Sequence, residues 1–174
     1  MRLIRFAPWL VAAFLAGCAT RSDIATFYQP IVGLRTDLIT DNPLDSAASS
    51  RELLWLNASR VFKSEIRYEY YLEVTYAASA ETGYLDIGAG PSLIIQAGER
   101  EMKFMGNGSL NLRKHRKGVL NENAIYPVQA DELRAIAAAQ KVTVRVIGRN
   151  GVVQREFSPA NSERFKKFVA AFVP

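Results

Sequence analysis

The sequence predicts an α+β domain in which an antiparallel sheet carries two helices from the C-terminal third. Three observations predict it: apolar and polar residues alternate strictly over 65–76, short apolar runs separated by glycines follow over 84–105, and two helical patterns come late in the chain. The sheet could be curled into a sandwich or a half-barrel. The composition, 49% hydrophobic and 22% charged in 174 residues, is that of a single globular domain.

The first seventeen residues have the organisation of an export signal. Arg2 and Arg5 supply a basic start, and residues 6–16 (FAPWLVAAFLA) form an apolar run. The run is too short to span a bilayer core, which needs about 20 residues. Polar residues follow at once from Thr20, so no stop-transfer helix continues it. We therefore expect residues 1–17 to be removed as a signal peptide.

The signal ends in Leu15-Ala16-Gly17-Cys18, which resembles the lipobox of bacterial lipoproteins. The resemblance implies cleavage between Gly17 and Cys18, a diacylglycerol on the thiol, and acylation of the new amine. Because Ala19 rather than Asp follows the cysteine, it also implies sorting to the outer membrane of a two-membrane cell. The expected location is the cell envelope, lipid-anchored and facing the periplasm. The alternatives are an ordinary signal peptide and a buried helix with an incidental cysteine.

The cysteine count excludes internal disulfides, and the net charge indicates which classes of molecule the protein could bind. Cys18 is the only cysteine, so the chain forms no internal disulfide. The net charge is +5; loss of Arg2 and Arg5 leaves 20 basic and 17 acidic residues, a net charge of +3. Such a mild excess permits attraction to anionic lipid or envelope polymers and does not indicate nucleic acid.

After the anchor, residues 18–30 are expected to form the lipidated N-terminus and a tether, or a first short element, with a single domain over 31–174. Residues 35–52 are the most loop-like stretch, with a turn signal at Asp41-Asn42-Pro43. The second half of this stretch could instead open a helix that leads into residues 53–56.

The alternating stretch 65–76 predicts a long half-buried strand with a bend or bulge. Residues 53–62 are the expected neighbour, with the turn near Lys63-Ser64. Short strands are expected at 84–87, 92–96 and 101–105, because glycine-containing turns separate them in the manner of an antiparallel meander.

The C-terminal third predicts a helix at 129–140, a strand at 141–148, a returning strand at 152–157 and a last helix. Asn150-Gly151 is a strong hairpin signal, and as a two-residue turn it would put Arg145 opposite Glu156. Ser158 and Pro159 are suited to the start of the last helix. The side chains expected to face the core are Leu133, Ile136 and Ala137 of the first helix and Phe165, Phe168, Val169 and Phe172 of the last.

From residue 122 onward this pattern resembles uncharacterised bacterial envelope proteins. The resemblance covers about the last third of the chain, and it implies no activity.

Few residues suit catalysis or metal binding. His115 is the only histidine, and it lies in a basic run without a Gly-x-Ser-x-Gly elbow. One histidine and one lipidated cysteine cannot supply a zinc site. Glu65, Glu69 and Glu73 would share a strand face, where a solvated charged face explains them better than a glycoside hydrolase. We therefore assign no catalytic residue, metal or cofactor.

The basic run at 113–117 is a candidate contact for an anionic surface. Its charged members are Arg113, Lys114, Arg116 and Lys117. Near an anionic membrane each contributes about 1 kcal/mol of attraction. The competing interpretation, which we favour, is a solvated strand edge whose charges block aggregation.

Three functions follow in order of preference. The first is a membrane-anchored envelope lipoprotein with a structural or protein-interaction role and an envelope protein as possible partner. The second is a periplasmic module in which a curled sheet and Tyr68, Tyr70 and Tyr76 enclose an apolar or envelope-derived ligand. A hydrolase comes last.

Overall fold

A computed structural model describes residues 23–44, 51–64 and 67–174. They form two antiparallel sheets, one of them curled into a half-barrel, with two helices near the C-terminus. The predicted α+β class is therefore confirmed. The strands are β1 (Ile24–Gln29), β2 (Leu34–Ile39), β3 (Glu52–Ser64), β4 (Arg67–Ser79), β5 (Ala89–Ala97), β6 (Arg100–Asn107), β7 (Arg113–Arg116), β8 (Val119–Val128), β9 (Val142–Gly148) and β10 (Gly151–Glu156). The helices are α1 (Ala130–Ala138) and α2 (Pro159–Phe172), with a short 3₁₀ helix at Leu110–Leu112.

The larger sheet has six strands in the order β1-β2-β3-β4-β8-β7, and the smaller has four in the order β10-β9-β5-β6. The two central strands of the larger sheet, β3 and β4, are 13 residues long. Their hairpin aligns Leu54 with Tyr76 and Leu56 with Val74, and the register shifts between Phe62 and Ser64. The predicted strand pair is confirmed, but the register shift lies in β3 next to the turn and not within the strand 65–76, where a bend or bulge was expected.

Alternation along these strands separates two faces of the larger sheet. Leu72 and Val74 of β4 are fully buried, as are Leu54 and Leu56 of β3. The residues between them point to the other face, which is polar and half-buried. Because side chains alternate along a strand, the buried residues form one continuous apolar surface that packs against the smaller sheet and the helices.

The two sheets approach each other closely at Gly106 of β6. A methyl group there would lie 2.6 Å from the ring of Tyr126 on β8, so only glycine leaves room for this ring. The Tyr126 hydroxyl lies 2.9 Å from the Ser92 hydroxyl of β5. One aromatic side chain therefore fills the junction of the sheets while its polar atom finds a partner in the smaller sheet.

Both helices begin as the sequence predicts. Glu132 of α1 accepts a hydrogen bond from the Gln129 N–H at 2.8 Å, and Asp131 and Glu132 occupy the first turn. Ser158 precedes α2 and its hydroxyl accepts from the Asn161 N–H. Of the predicted core-facing side chains, Leu133, Ile136, Ala137, Phe165 and Phe168 are buried, and Val169 and Phe172 pack half-buried against the same core.

Helix α2 is tied to the larger sheet through two buried asparagines. Asn161 donates from its amide to the side-chain oxygen of Asn42 at 2.9 Å and to the Pro43 carbonyl at 2.7 Å. Asn42 in turn donates to the Leu56 carbonyl of β3 at 2.8 Å. This satisfies polar groups that the helix would otherwise bury without partners.

The start of the domain differs from the prediction. Strand β1 begins at Ile24, inside the range 18–30 that was assigned to the tether. The second half of that range is therefore a strand, which agrees with the alternative of a first short element. Strand β2 lies in the stretch 35–52 predicted to be a loop. Residues 53–56 belong to β3 and not to a helix, while residues 45–50 lie outside the described part. Local composition missed β2 because its pairing with β1 and β3 stabilises it.

The predicted pairing of Arg145 with Glu156 is wrong. The β9–β10 turn is Arg149-Asn150, so Gln154 lies opposite Arg145 and Glu156 lies opposite Thr143. The backbone N–H groups of Arg149 and Asn150 donate to the carbonyls of Asp86 and Leu85, which fixes the turn one residue earlier than Asn150-Gly151.

The segment before β5 is also less regular than predicted. Of residues 84–87 only Ile87 makes a strand contact, a single bridge to Gly148. Strands β7 and β8 were not predicted. Polar residues alternate through the first half of β8 and weaken its apolar signal, and β7 has no apolar residue.

Candidate functional site

The predicted lipidation site and its cleavage point, Gly17 and Cys18, lie outside the described residues. The described chain begins at Asp23, five residues after Cys18. Among the described residues, no helix is long and apolar enough to cross a membrane.

The basic run divides into one inward and several outward side chains. Arg113 is half-buried, and Lys114, Arg116 and Lys117 are exposed together with His115. Strand β7 is an edge of the larger sheet and joins β8 through Lys117-Gly118, a turn with positive φ at both residues. This geometry agrees with the solvated-edge interpretation and leaves three cations facing outward.

Arg113 instead belongs to a buried charge cluster on the core face. Its guanidinium forms an ion pair with Asp86, lies 5.1 Å from the centroid of the Tyr84 ring, and approaches Glu122 at 3.1 Å. The approach to Glu122 is a charge contact and not a hydrogen bond, because Nε does not aim its N–H at the carboxylate. Glu122 is fully buried and accepts the Asp86 N–H at 3.0 Å on each oxygen.

Hydrogen bonds between the two acids of this cluster explain the unusual backbone conformation of Asp86. Asp86 has φ of 61°, in the left-handed region, and Glu122 holds its N–H in that conformation. Burial raises the pKa of Glu122, with the Asp86 charge acting in the same direction, against hydrogen bonds from the backbone and the Arg113 charge. The cluster thus holds the irregular segment before β5 against β8.

A second buried acid lies at the other side of the larger sheet. Asp37 of β2 accepts from Arg60 at 2.8 Å, from Arg35 at 3.0 Å and from Thr26 at 2.6 Å. Burial acts to raise the pKa of Asp37, but these three donors outweigh it and the pKa is lowered. Arg60 also donates to the Phe172 carbonyl, so this ion pair fastens the end of α2 to the sheet.

Of the three tyrosines predicted to enclose a ligand, Tyr68 and Tyr70 line a common pocket of about 340 Å³, and Tyr76 lies apart from it. Tyr76 is 2% exposed within the core, and the Tyr70 hydroxyl donates to the Phe172 carbonyl at 3.1 Å. Tyr68 is 40% exposed and packs edge-on against Phe62. Large side chains, among them Tyr126, Phe165 and Phe168, are fully buried in the core.

The polar face of the larger sheet holds a groove of about 260 Å³. We call it the polar groove; it is lined by Thr40, Asp41, Trp55, Asn57, Thr75 and Asn121. Strand register brings these residues together, because Trp55 pairs with Thr75 and Asn57 with Glu73 across β3 and β4. Asn123 of β8 pairs with Thr75 and therefore lies beside the groove.

Glu73 lies next to the polar groove on the same face. It accepts a hydrogen bond of 3.4 Å from Ser59, which is itself 1% exposed. Burial raises the pKa of Glu73, opposed by the Ser59 hydrogen bond. Of the three acids predicted to share this face, Glu69 accepts from the Tyr71 hydroxyl and Glu65 lies outside the described residues.

The β1–β2 hairpin carries a separate, apolar surface. Four large side chains at its turn are strongly exposed: Phe27 by 57%, Tyr28 by 65%, Ile31 by 98% and Val32 by 68%. Clusters of this kind on a small domain mark interaction sites more often than single exposed apolar residues do. We call these four residues the hairpin tip.

The described residues offer little for catalysis or metal binding. Within residues 23–44, 51–64 and 67–174, no three His, Cys, Asp or Glu side chains are grouped to hold a metal ion. His115 is exposed on the edge strand β7. The acids that the fold does bury, Asp37 and Glu122, are paired with arginines and brace the backbone.

No protein-family model, curated protein or solved structure matches this chain. Its function is therefore inferred from its own side chains. The sequence had pointed to the basic run, and it missed the polar groove and the hairpin tip. The alternating asparagines Asn121 and Asn123 were the available signal, and recognising β8 as a strand would have placed them on one face.

The Arg113 cluster predicts unequal roles within the basic run. Arg113→Gln should lower the free energy of unfolding by about 3 kcal/mol, because it leaves the buried carboxylate of Glu122 without a compensating charge. Lys114→Gln, an exposed neighbour, should change it by less than about 0.5 kcal/mol. Urea denaturation of both variants measures the difference. Equal stabilities would contradict the assignment of Arg113 to the fold.

The raised pKa of Glu73 predicts the sign of a pH effect. Because the folded state raises this pKa, the stability associated with protonated Glu73 is present below about pH 4 and is lost as the pH rises through the folded value. Glu73→Gln should therefore be more stable than the natural chain at pH 7, and the gain should shrink towards pH 4. Urea denaturation at both pH values tests this, with exposed Glu99→Gln as the control. A gain that is independent of pH would show that ionisation is not its cause.

Proposed function

We propose that this chain is an envelope lipoprotein whose folded domain acts by binding and not by catalysis. Lipid on Cys18 anchors it, and the domain faces the periplasm from the outer membrane. The observation that carries the proposal is the sequence Leu15-Ala16-Gly17-Cys18 after a short basic and apolar leader. Two or three acyl chains, at about 0.8 kcal/mol per buried methylene, hold such a protein durably on a bilayer.

The length of the connection supports a domain held near the membrane. Asp23 is the fifth residue after Cys18, and the chain between the two spans at most about 18 Å when extended. Strand β1 then runs from Ile24 towards the hairpin tip, so the tip lies at the end of the hairpin remote from the anchor. We propose the tip as the contact for an envelope protein with a complementary apolar surface.

The exposed cations lie towards the opposite end of the larger sheet. Strands β4 and β8 pair Tyr70 with Val128 at the end near the tip and Ser79 with Val119 at the other, where the Lys117-Gly118 turn follows. Arg116 and Lys117 therefore extend away from the tip. A domain with this end towards anionic lipid would present its apolar tip to the periplasm.

The anchor is tested by Cys18→Ser in a two-membrane bacterium. We expect no labelled palmitate on the variant and no mature form of lipidated mass, because oxygen does not replace the thiolate as acceptor. Ala19→Asp is the matched control; it should still take palmitate and should move the protein from the outer to the inner membrane. Palmitate on Cys18→Ser, or an unmodified Cys18 in the purified native chain by intact mass, would refute the proposal.

The hairpin tip is tested by a photo-crosslinking residue at position 31 in living cells. We expect a discrete protein adduct, because Ile31 is almost fully exposed. Position 152 is the control, since Val152 of β10 is also exposed but stands apart from the tip. Adducts to lipid alone would show that the hairpin tip contacts the bilayer and not a protein partner. Adducts between two copies of this chain would show that the tip mediates self-association. Either result, or equal labelling from both positions, counts against the proposed partner.

A further inference from the structure

The polar groove combines an aromatic side chain with amides and hydroxyls in a way that the fold does not require. It lies on the face of the larger sheet opposite the core. Such a face needs only to be compatible with water, and short charged side chains would satisfy that need. Here the lining is an indole, two asparagines, two threonines and one aspartate.

Trp55 is fixed in the groove by its polar atom. Its Nε1 donates to the Asp41 carboxylate at 3.1 Å, and the side chain is half-buried. The backbone of Trp55 pairs with Pro43 on one side through an isolated β-bridge and with Thr75 of β4 on the other. The conformational entropy of this large side chain is therefore lost when the protein folds and not when a ligand binds, as in preorganised sites. Planar aromatic faces in such settings pack against apolar faces of ligands that also carry polar groups.

The amides supply donors and an acceptor in different orientations. The Asn57 side-chain oxygen accepts from the Asn42 N–H at 3.1 Å, which directs its NH₂ group elsewhere. The Asn123 side-chain oxygen is buried and accepts no hydrogen bond from the residues that the structure describes. A buried carbonyl oxygen without a partner is costly, so a ligand whose donor reaches this oxygen after a small rotation of the Asn123 side chain would gain binding free energy.

The charges and polarity of the groove select among ligand classes. An anionic ligand would meet the carboxylates of Asp41 and nearby Glu73. A wholly apolar ligand would cover the asparagines without satisfying them. A saccharide has both properties that fit: hydroxyls for the amides and threonines, and a C–H face for the indole. An acetamido substituent adds one N–H donor and one carbonyl acceptor, which match Asn123 and Asn57.

We propose that the polar groove binds a neutral saccharide carrying acetamido groups, with the sugar face on Trp55 and the acetamido group between Asn57 and Asn123. This goes beyond the proposed lipid anchor and uses a surface other than the hairpin tip. In an envelope protein the ligand class corresponds to N-acetylated glycan, and this last step alone depends on the proposed location.

The experiment uses intrinsic fluorescence of the full chain. The sequence has two tryptophans, Trp9 and Trp55, so Trp9→Phe leaves Trp55 as the sole indole whether or not the leader is removed. The protein is purified in a detergent without a sugar headgroup and titrated with the tetramer of N-acetylglucosamine. We expect a saturable change in emission. Maltotetraose, which has the hydroxyls but no acetamido group, should bind at least about tenfold more weakly.

Variants separate the groove from unspecific effects. Asn123→Ala and Asn121→Ala should each weaken binding of the tetramer about tenfold, equivalent to about 1.4 kcal/mol. Asn111→Ala, an exposed asparagine in the 3₁₀ helix, is the matched control and should bind as the parent does. Asn121 is half-exposed, so its variant preserves the test if Asn123→Ala folds poorly. Trp55→Ala, followed by calorimetry, should abolish binding.

Three results would overturn the proposal: no saturable response to the tetramer, equal binding of maltotetraose, or unchanged binding by Trp55→Ala. Because the titration does not depend on lipid or on processing, its outcome is independent of the Cys18 test. If the protein is lipidated but does not bind the tetramer, the saccharide site alone is refuted. If the native protein is not lipidated but binds the tetramer, the lipid anchor alone is refuted.

Discussion

The two-residue alternation along β3, β4 and β8 is the constraint on which the rest of this structure depends. It puts Leu72 and Val74 into the core and leaves Glu73 and Thr75 on the other face. A slip of one residue would exchange these faces and bury the polar set in the core. The same register that builds the core therefore also assembles the polar groove, because the residues opposite one another on the outer face are fixed by those inside.

The core face also contains two acids, and each one is compensated in a different way. Asp37 receives hydrogen bonds from two guanidinium groups and a hydroxyl, and its pKa is lowered. Burial raises the pKa of Glu122, because the backbone hydrogen bonds and the Arg113 charge do not offset it, and the Asp86 charge acts in the same direction as burial. Both carboxylates mark places where a chain segment outside the regular sheet is fastened to it: the end of α2 in one case and the turn before β5 in the other.

The sequence correctly predicted the elements whose local residue pattern matches the position that the element takes in the folded structure. The alternation in β4 and the start of α2 at Ser158-Pro159 are clear because each is set by nearest neighbours. Strand β2 and the Arg149-Asn150 turn were missed because contacts distant in sequence decide them, namely Arg60 for Asp37 and the Leu85 and Asp86 carbonyls for the turn. The same holds for the polar groove, whose lining comes from three separate strands and from the segment that follows β2.

Both contact surfaces proposed for this domain lie outside its core. Tyr126, Phe165 and Phe168 are fully buried in the core, whereas the polar groove lies on the opposite face of the larger sheet and the hairpin tip is exposed. A shallow outer groove excludes less water than a cavity and gains less free energy per contact. Lipid anchoring would offset that weakness, because confinement to one membrane raises the effective concentration of a ligand fixed in the adjacent layer. Modest affinity in the polar groove and a permanent tether are thus mutually consistent, whereas a freely diffusing protein with the same groove would need tighter binding to stay occupied.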